Sequence, residues 1–274
     1  GHTRGGVAIF LSPRAKEAWK RAGQQDPITS GNILGCARFI SISLHFLDHL
    51  NKTIKVNACS IYHPTDVTQQ ERSDFISNLD SLYDTLDTDN HIIISGCDAN
   101  ASIGNRNSIY ANRDGTVEDH EDNADIIGPF GLDHVNEAGL ELSHLMKSKK
   151  LASTTSFFEH KNYTTWRSFS KTNEERAQDG EPILTSPRRV QFQLDLFLTQ
   201  KHNLKSILDA KRVGDGAPSD HSAVKLVLRL ASKLVMKNSK FNVKRVGKGK
   251  KTAKLDWRSE ERRVVRPGVD LGGR

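Results

Sequence analysis

Two polar side chains, Asp98 and Asn100, follow an apolar run in the middle of the chain. The run is His91–Gly96, and its three consecutive isoleucines predict a short strand that is buried on both faces. Open α/β sheets usually carry their chemistry just past the carboxyl ends of such strands. The pair therefore belongs either to a catalytic site or to an ordinary Asx-rich turn, and this peptide alone does not distinguish the two.

Three further motifs place polar side chains at or within predicted strands. Tyr62–Pro64 ends one strand, Asp195 lies inside another, and Ser219–His221 precedes the last. Each motif alone also has a structural explanation, because a tyrosine at a strand end is usually half-buried packing and an edge aspartate is ordinary. The four motifs together form one candidate constellation.

Alternating and β-branched segments predict the strands that must position these motifs. Arg38–Phe46 alternates cleanly, and Leu47–Lys52 has the composition of a hairpin connection to the next strand, Thr53–Tyr62. Further strands are predicted at Val7–Leu11, Leu151–Phe158, Tyr163–Phe169, Val190–Thr199 and Ser222–Leu230.

Helices are predicted between the strands. Thr68 and Glu71 form a capping box before an apolar stripe that reaches Leu86, and Asn136 caps a helix that continues through Met146. The strand, helix, strand order predicts an α/β sheet covered by helices.

The positive charge lies at the carboxyl-terminal end. The 274 residues have a formal net charge of +7, but residues 1–230 carry 26 Lys and Arg against 29 Asp and Glu, whereas residues 231–274 carry 14 against 4. We therefore predict one domain over residues 1–230 and a basic, disordered tail or linker over residues 231–274. An acidic cluster at residues 114–125 is predicted to be a solvated loop rather than a metal site.

Cysteine content and hydropathy exclude several protein classes. The three cysteines have no C-x-x-C spacing, which fits neither a disulfide framework nor a zinc site and favours a reducing compartment. No apolar run approaches the roughly 20 residues that span a bilayer, and there is no signal-peptide pattern. The sequence predicts a soluble intracellular protein, nuclear or cytoplasmic, with no membrane partner.

In this order and spacing, the four motifs resemble the endonuclease/exonuclease/phosphatase family. Ile127–Leu132, Asn136–Gly139 and Tyr163–Ser168 are similar to one branch, the endonuclease domains of non-LTR retrotransposon proteins and the craniofacial development protein 2-like proteins. The resemblance covers residues 5–230. It implies an α/β four-layer sandwich, in which two packed, mostly antiparallel sheets are flanked by helices, and a metal-dependent DNA endonuclease. It also implies a reverse transcriptase as a carboxyl-terminal partner in a longer parent.

The resemblance assigns a role to each catalytic residue. Asp98 would orient and deprotonate the attacking water, while Asn100 would fix that water and the carboxylate. His221 would donate to a phosphoryl oxygen, with Asp195 holding its tautomer and raising its pKa. Tyr62 would contribute its hydroxyl to the phosphate or to the leaving group.

The resemblance also implies a metal ligand and DNA contacts. Asp220 would be the carboxylate on the metal side, since oxygen ligands suit magnesium or manganese. Arg106, Trp166 and Arg167 are the candidate nucleic-acid-binding residues.

One feature of the family has no counterpart in this sequence. In the family, a strand ending in Asn and a strand carrying a Glu metal ligand normally precede a segment like Gly5–Phe10. Glu17 is the first glutamate here, but it lies in a helical stretch, Pro13–Gly23, and is not assigned as the replacement. We therefore expect an N-terminally truncated domain with weakened activity.

Two other functions are compatible with the sequence. The first is an inactive nuclease relic that binds nucleic acid through its basic tail, although the retained Asp98, Asp195 and His221 argue against decay. The second is a phosphoesterase of the same fold that acts on lipid or inositol phosphates, although the retrotransposon-like motifs argue against it.

Overall fold

The computed structural model describes residues 6–30, 38–65, 67–86, 91–111, 117–119, 124–167, 177–178, 191–214 and 219–230. The predicted basic tail and most of the acidic cluster lie outside these residues. In chain order the elements are α1 (Pro13–Arg21), β1 (Ile28–Thr29), β2 (Phe39–Leu47), β3 (Thr53–Tyr62), α2 (Gln69–Leu86), β4 (His91–Asp98), β5 (Ile109–Ala111), β6 (Val117–Asp119), α3 (Glu137–Ser148), β7 (Leu151–Ser153), β8 (Trp166–Arg167), β9 (Gln191–Phe192), β10 (Asp195–Gln200), β11 (Ile207–Arg212) and β12 (Val224–Leu228).

The central sheet has six strands in the order β1-β2-β3-β4-β10-β7. All neighbours are antiparallel except β3 and β4, whose parallel pairing needs the crossover that α2 provides. Parallel pairing brings the two carboxyl ends together, so that Tyr62 is the register partner of Asp98. The antiparallel strand β10 places Asp195 opposite Asp98 from the other side.

The two faces of this sheet are covered differently. Helices α2 and α3 pack on one face, where Ile61, Cys97 and Leu196 contribute to the main core. Because neighbouring residues in a strand point to opposite faces, Tyr62, Asp98 and Asp195 point to the other face. Helix α1 packs against β2 on that second face, in a smaller apolar cluster.

Three two-stranded sheets complete the described strands: β5 with β6, β8 with β9, and β11 with β12. Strand β12 lies against β10, and an isolated bridge joins Trp166 to His221, just before β12. The predicted α/β class, with sheets flanked by helices, is confirmed.

Local signals in the sequence fix several element boundaries. The Thr68 backbone N–H donates to Glu71 Oε2 at 2.8 Å and the Glu71 N–H donates to Thr68 Oγ1 at 3.2 Å, which is the predicted capping box. Asn136 Oδ1 accepts from the Gly139 N–H at 2.8 Å and caps α3. The β2–β3 hairpin is closed by Asp48 Oδ1, which accepts the N–H groups of Leu50 and Lys52.

Four predictions of strands need correction. Val190–Thr199 is not one strand, because Gln193 and Leu194 separate β9 from β10, and the described part of Tyr163–Phe169 is a strand only at Trp166–Arg167. Val7–Leu11 is not a strand: Phe10 is 94% exposed, while Ile9 and Leu11 pack on the second apolar cluster from a segment without regular structure. The strand predicted over Leu151–Phe158 ends at Ser153, and a 3₁₀ helix follows because the Ser156 hydroxyl donates to Ser153 O at 2.7 Å. Strand β11 was not predicted, since its charged residues interrupt any apolar alternation.

Candidate active site

Asp98, Asp195 and His221 converge at one end of the central sheet. One ligand atom from each residue lies within 4.8 Å of those of the other two, although the three residues come from β4, β10 and the segment before β12. His221 Nδ1 and Asp195 Oδ2 are 2.9 Å apart and hydrogen bonded. The structure therefore brings together three residues that the sequence had predicted for catalysis.

A buried threonine positions Asp195. Thr165 Oγ1 accepts the backbone N–H groups of Leu194 at 2.8 Å and of Asp195 at 2.9 Å, where the chain bends between β9 and β10. The Thr165 carbonyl accepts the N–H of Ser222 at 2.6 Å. One residue thus joins the start of β10 to the segment that carries His221. Sequence reasoning did not assign Thr165 a role, although it lies inside the motif Tyr163–Ser168.

The surroundings of Asp98 change its acidity. Burial raises the pKa of Asp98 to about 6, and the nearby carboxylate of Asp195 adds to the rise, while the charge of His221 opposes it. A carboxyl group with this pKa is mostly ionised at neutral pH and is still a better proton acceptor than an ordinary aspartate. This property suits a general base.

The surroundings of His221 favour its cation. The hydrogen bond to Asp195 raises the pKa of His221, and burial acts in the opposite direction. In the cation, Nδ1–H donates to Asp195 and Nε2–H remains as a second donor. The predicted role of Asp195, which is to hold the histidine tautomer and raise its pKa, agrees with this geometry.

Asn100 holds the loop that follows Asp98. Its backbone N–H donates to Asp98 Oδ1 at 3.2 Å and its Nδ2 donates to the carbonyl of His63 at 2.8 Å. Its φ of 43° lies in the left-handed region, which asparagine tolerates better than most residues. The predicted Asx turn is thus part of the candidate site, because the turn fixes the Asp98 carboxylate.

Tyr62 is the cross-strand neighbour of Asp98, and the guanidinium group of Arg38 lies over its ring. The Arg38 Cζ lies 5.1 Å from the centroid of the Tyr62 ring, within cation–π range, and the Tyr62 N–H donates to the Arg38 carbonyl at 2.8 Å. Sequence reasoning treated Arg38 only as the first residue of a strand.

Asp220 lies beside this group rather than within it. Its Oδ2 accepts the indole N–H of Trp166 at 2.9 Å, and its carbonyl accepts the N–H of Arg167 at 3.0 Å. The Trp166 ring stacks on Phe192 with centroids 5.8 Å apart, and Phe192 stacks on His134 at 5.2 Å. Trp166 and Arg167 therefore adjoin the predicted catalytic residues through Asp220.

Arg106 is the predicted site residue that the structure does not bring to the cluster. It is exposed on a turn, where its backbone N–H donates to the Gly128 carbonyl at 2.9 Å. Within the described ranges, no contact joins its side chain to Asp98, Asp195 or His221.

The donor set of the cluster fits a divalent cation. Asp98 and Asp195 are cross-strand partners whose side chains share one face, so that two negative charges lie close together. The charge of Asp195 raises the pKa of Asp98, and a cation between the carboxylates would relieve this repulsion. Carboxylate oxygens are the ligands that magnesium and manganese prefer.

Comparisons with known proteins give structural matches only. No protein-family model and no curated protein matches the sequence. The fold is similar to the endonuclease domain of TRAS1, a telomere-specific non-LTR retrotransposon, at 13% identity and a TM-score of 0.47, over 76% of this chain and 70% of the other. It is also similar to the Xenopus laevis APE2 catalytic domain, at 16% identity and a TM-score of 0.48, over 70% of this chain and 55% of that domain.

A third match is the 3′-5′ exonuclease NExo from Neisseria meningitidis, at 12% identity and a TM-score of 0.47, over 75% of this chain and 72% of the other. Among the described residues, no helix is both long enough and apolar enough to cross a membrane.

Proposed function

We propose that this chain hydrolyses phosphodiester bonds in DNA as an endonuclease of the retrotransposon type. The observation that supports this proposal is the convergence of Asp98, Asp195 and His221 within 4.8 Å, beside Asn100 and Tyr62, at one end of the central sheet. The set contains a proton acceptor, a cationic donor and a hydroxyl group. The proton acceptor can activate the attacking water, and the two donors can stabilise the negative charge that develops on the phosphate.

Each residue has one task in the reaction. Asp98 orients a water molecule and takes its proton while the water oxygen forms a bond to phosphorus. His221, held by Asp195, donates from Nε2 to a phosphoryl oxygen and stabilises the negative charge that develops there. The bond from phosphorus to the leaving sugar oxygen breaks, Tyr62 donates a hydrogen bond to the phosphate or to that oxygen, and the leaving oxygen takes a proton from solvent water while Asp98 returns its proton to solvent. The products are a phosphomonoester and a free hydroxyl group.

The proposed cofactor is magnesium or manganese. The carboxylates of Asp98 and Asp195 would hold it, with Asp220 as the further ligand predicted from the sequence. When bound, such a cation neutralises phosphoryl charge and lowers the pKa of a coordinated water.

Of the three proposed DNA contacts, Trp166 and Arg167 lie beside the cluster, and Arg106 lies outside it. The Trp166 ring, stacked on Phe192 and bonded to Asp220, offers an aromatic surface next to His221. Arg167 follows Trp166 in the same short strand, and Arg106 offers an exposed positive charge. Cationic side chains near the site are needed because residues 1–230 have a slight excess of acidic residues.

Nicking of supercoiled plasmid tests the proposed function. The purified chain is incubated with magnesium, with manganese or with EDTA, alongside Asp98→Asn and the control Asp26→Asn, which alters an exposed carboxylate on the loop after α1. We expect nicking that requires the cation, that falls by about 10²-fold or more in Asp98→Asn and that is unchanged in Asp26→Asn.

Other outcomes of this experiment identify the competing functions. DNA binding without nicking in any cation would contradict the catalytic proposal and favour a binding protein. Hydrolysis of phosphoinositides or sphingomyelin without action on DNA would favour the lipid phosphoesterase.

A further inference from the structure

Arg38 is a buried cation for which the described part of the chain provides no acidic partner. Its relative exposure is 9%, and its Nε is enclosed without a hydrogen-bond partner. No carboxylate of the described residues forms an ion pair with it. Burying an unpaired charge is unfavourable, so a buried arginine normally has a counter-charge.

Other shielded cations in the structure show the usual arrangement. Arg72 lies 3.8 Å from carboxylate oxygens of both Glu137 and Glu141. Lys149 lies 2.8 Å from Asp80 and 2.6 Å from Asp84. Arg38 differs from these cations because its neighbour is the Tyr62 ring, which offers a π face but no negative charge.

The position of Arg38 connects it to the proposed active site. It directly precedes β2, next to the carboxyl end of β3, and its carbonyl accepts the N–H of Tyr62. Tyr62 is the register partner of Asp98. The positive charge also reaches His63, since Arg38 and Arg72 add to the lowering of the His63 pKa that burial causes.

We propose that Arg38 is a phosphate-binding residue, whose guanidinium group binds a backbone phosphate of the substrate beside Tyr62. A phosphate would supply the missing counter-charge, and the planar guanidinium matches two phosphate oxygens with parallel hydrogen bonds. The cation–π contact with Tyr62 holds the guanidinium group over the ring before the substrate arrives. The choice of DNA as the source of this phosphate rests on the proposed function, whereas the anion site itself does not.

The first test measures DNA binding without cleavage. Binding of a labelled duplex oligonucleotide is followed in EDTA over a series of salt concentrations for the wild type, Arg38→Met, Arg38→Lys and Arg229→Gln. Arg229 is the control, since it is exposed and directly follows β12, whereas His221 precedes that strand.

We expect Arg38→Met to bind about tenfold more weakly, with the slope of log affinity against log salt reduced by about one. Arg38→Lys should keep the slope and lose affinity, because it keeps the charge but not the paired hydrogen bonds. Arg229→Gln should match the wild type. Wild-type affinity and slope in Arg38→Met would overturn the proposal.

Thermal stability distinguishes this role from a structural one. Removal of an unpaired buried charge should leave the Tm of Arg38→Met equal to or above that of the wild type. A large fall in Tm together with an unchanged salt slope would show that Arg38 is structural. If Arg38→Met does not fold, the DNA-binding assay of Arg38→Lys tests the proposal instead. Weaker binding at an unchanged salt slope supports the proposal, and binding equal to that of the wild type overturns it.

Inorganic phosphate separates failure of this inference from failure of the proposed function. If the wild type binds no DNA and does not nick plasmid with magnesium or manganese, the proposed function is wrong, but Arg38 is still tested by the rise in Tm that phosphate causes through binding to the folded state. A phosphate-induced rise in Tm that is seen in the wild type and absent in Arg38→Met supports the anion site. If Arg38→Met does not fold, the same comparison is made with Arg38→Lys. Equal rises, or none in the wild type, contradict it.

Discussion

At the scale of single residues, the site gives different properties to two aspartates that face each other across neighbouring strands. Asp98 is half-buried, and its partial removal from solvent raises its pKa to about 6. Asp195 instead accepts a hydrogen bond from His221 and receives no proton from the water in the proposed reaction. Under the proposed function, the surroundings rather than the residue type would assign one carboxylate to proton transfer and the other to positioning.

The His221–Asp195 pair gives the first prediction at this scale. Asp195→Asn keeps the shape of the side chain but removes the charge, so we expect the nicking rate to fall by about 10²-fold or more and the pKa of His221 to fall. Plasmid nicking and an NMR titration of His221 measure the two effects.

Asp209→Asn is the matched control, because Asp209 Oδ1 lies 3.3 Å from His160 Nε2 in a second His–Asp pair. This variant should nick at the wild-type rate. An unchanged rate and an unchanged His221 titration in Asp195→Asn would contradict the positioning role.

His63 gives a prediction about stability and pH. Burial lowers the pKa of folded His63 to about 4 from the ordinary 6.5. Between pH 6.5 and about pH 4, His63 is therefore protonated in the unfolded chain and neutral in the folded chain. The free energy of unfolding should therefore decrease over this interval, by at most about 3 kcal/mol.

His63→Asn should remove this part of the pH dependence, because an amide side chain does not titrate. The amide can also donate to the Pro64 carbonyl in place of Nδ1, so that the hydrogen bond is kept. Urea unfolding at pH 7 and at pH 4.5 measures it for the wild type, His63→Asn and the exposed control His202→Asn. Equal pH dependence in the wild type and in His63→Asn would contradict this explanation.

At the scale of elements, close backbone contacts explain two glycines in the motifs on which the family resemblance rests. A Cβ on Gly139 would lie 1.9 Å from the Ser102 carbonyl oxygen, and one on Gly128 would lie 2.1 Å from that of Ser156. Both glycines permit an element to approach another backbone. Their role is packing rather than chemistry.

Gly139→Ala tests this explanation. Alanine is the better helix former by up to about 1 kcal/mol, but the clash with Ser102 should exceed that gain, so we expect a net destabilisation of about 1–3 kcal/mol. Gly214→Ala is the control, because a Cβ there meets no atom within 4 Å and its effect should stay within about 0.5 kcal/mol. Urea unfolding of both variants measures the difference, and equal stability would contradict it.

The sequence predicted those elements whose signals are local. Strand β3, helix α2 and helix α3 were predicted because alternation, an apolar stripe and capping residues lie within each segment. Asp98 became a candidate because it follows a strand-like run, whereas Asp195 became one through the family resemblance of the four motifs together. Arg38 and Thr165 were missed because their roles arise from distant contacts, such as the Thr165 hydroxyl, which accepts the N–H of a residue 30 positions away.

At the scale of the whole molecule, cation binding should stabilise the fold. Asp98 and Asp195 come from different strands, so a divalent ion between them would bind the folded chain and not the unfolded one. At a concentration 100 times its Kd, such an ion adds about 2.7 kcal/mol to the free energy of unfolding.

Thermal unfolding in magnesium, in manganese and in EDTA measures this effect. We expect a higher Tm with the cation in the wild type and no increase in the double variant Asp98→Asn and Asp195→Asn. The same increase in both proteins would place the ion elsewhere.

The position of β10 between β4 and β7 has a consequence for the synthesis of the protein. The central strands are joined by contacts such as that of Ile93 with Gln200, which are 107 residues apart in sequence. During translation, Asp98 therefore leaves the ribosome long before Asp195 and His221. Under the proposed function, a nascent chain holds no complete catalytic centre, and so cannot cut nucleic acid, until His221 has emerged.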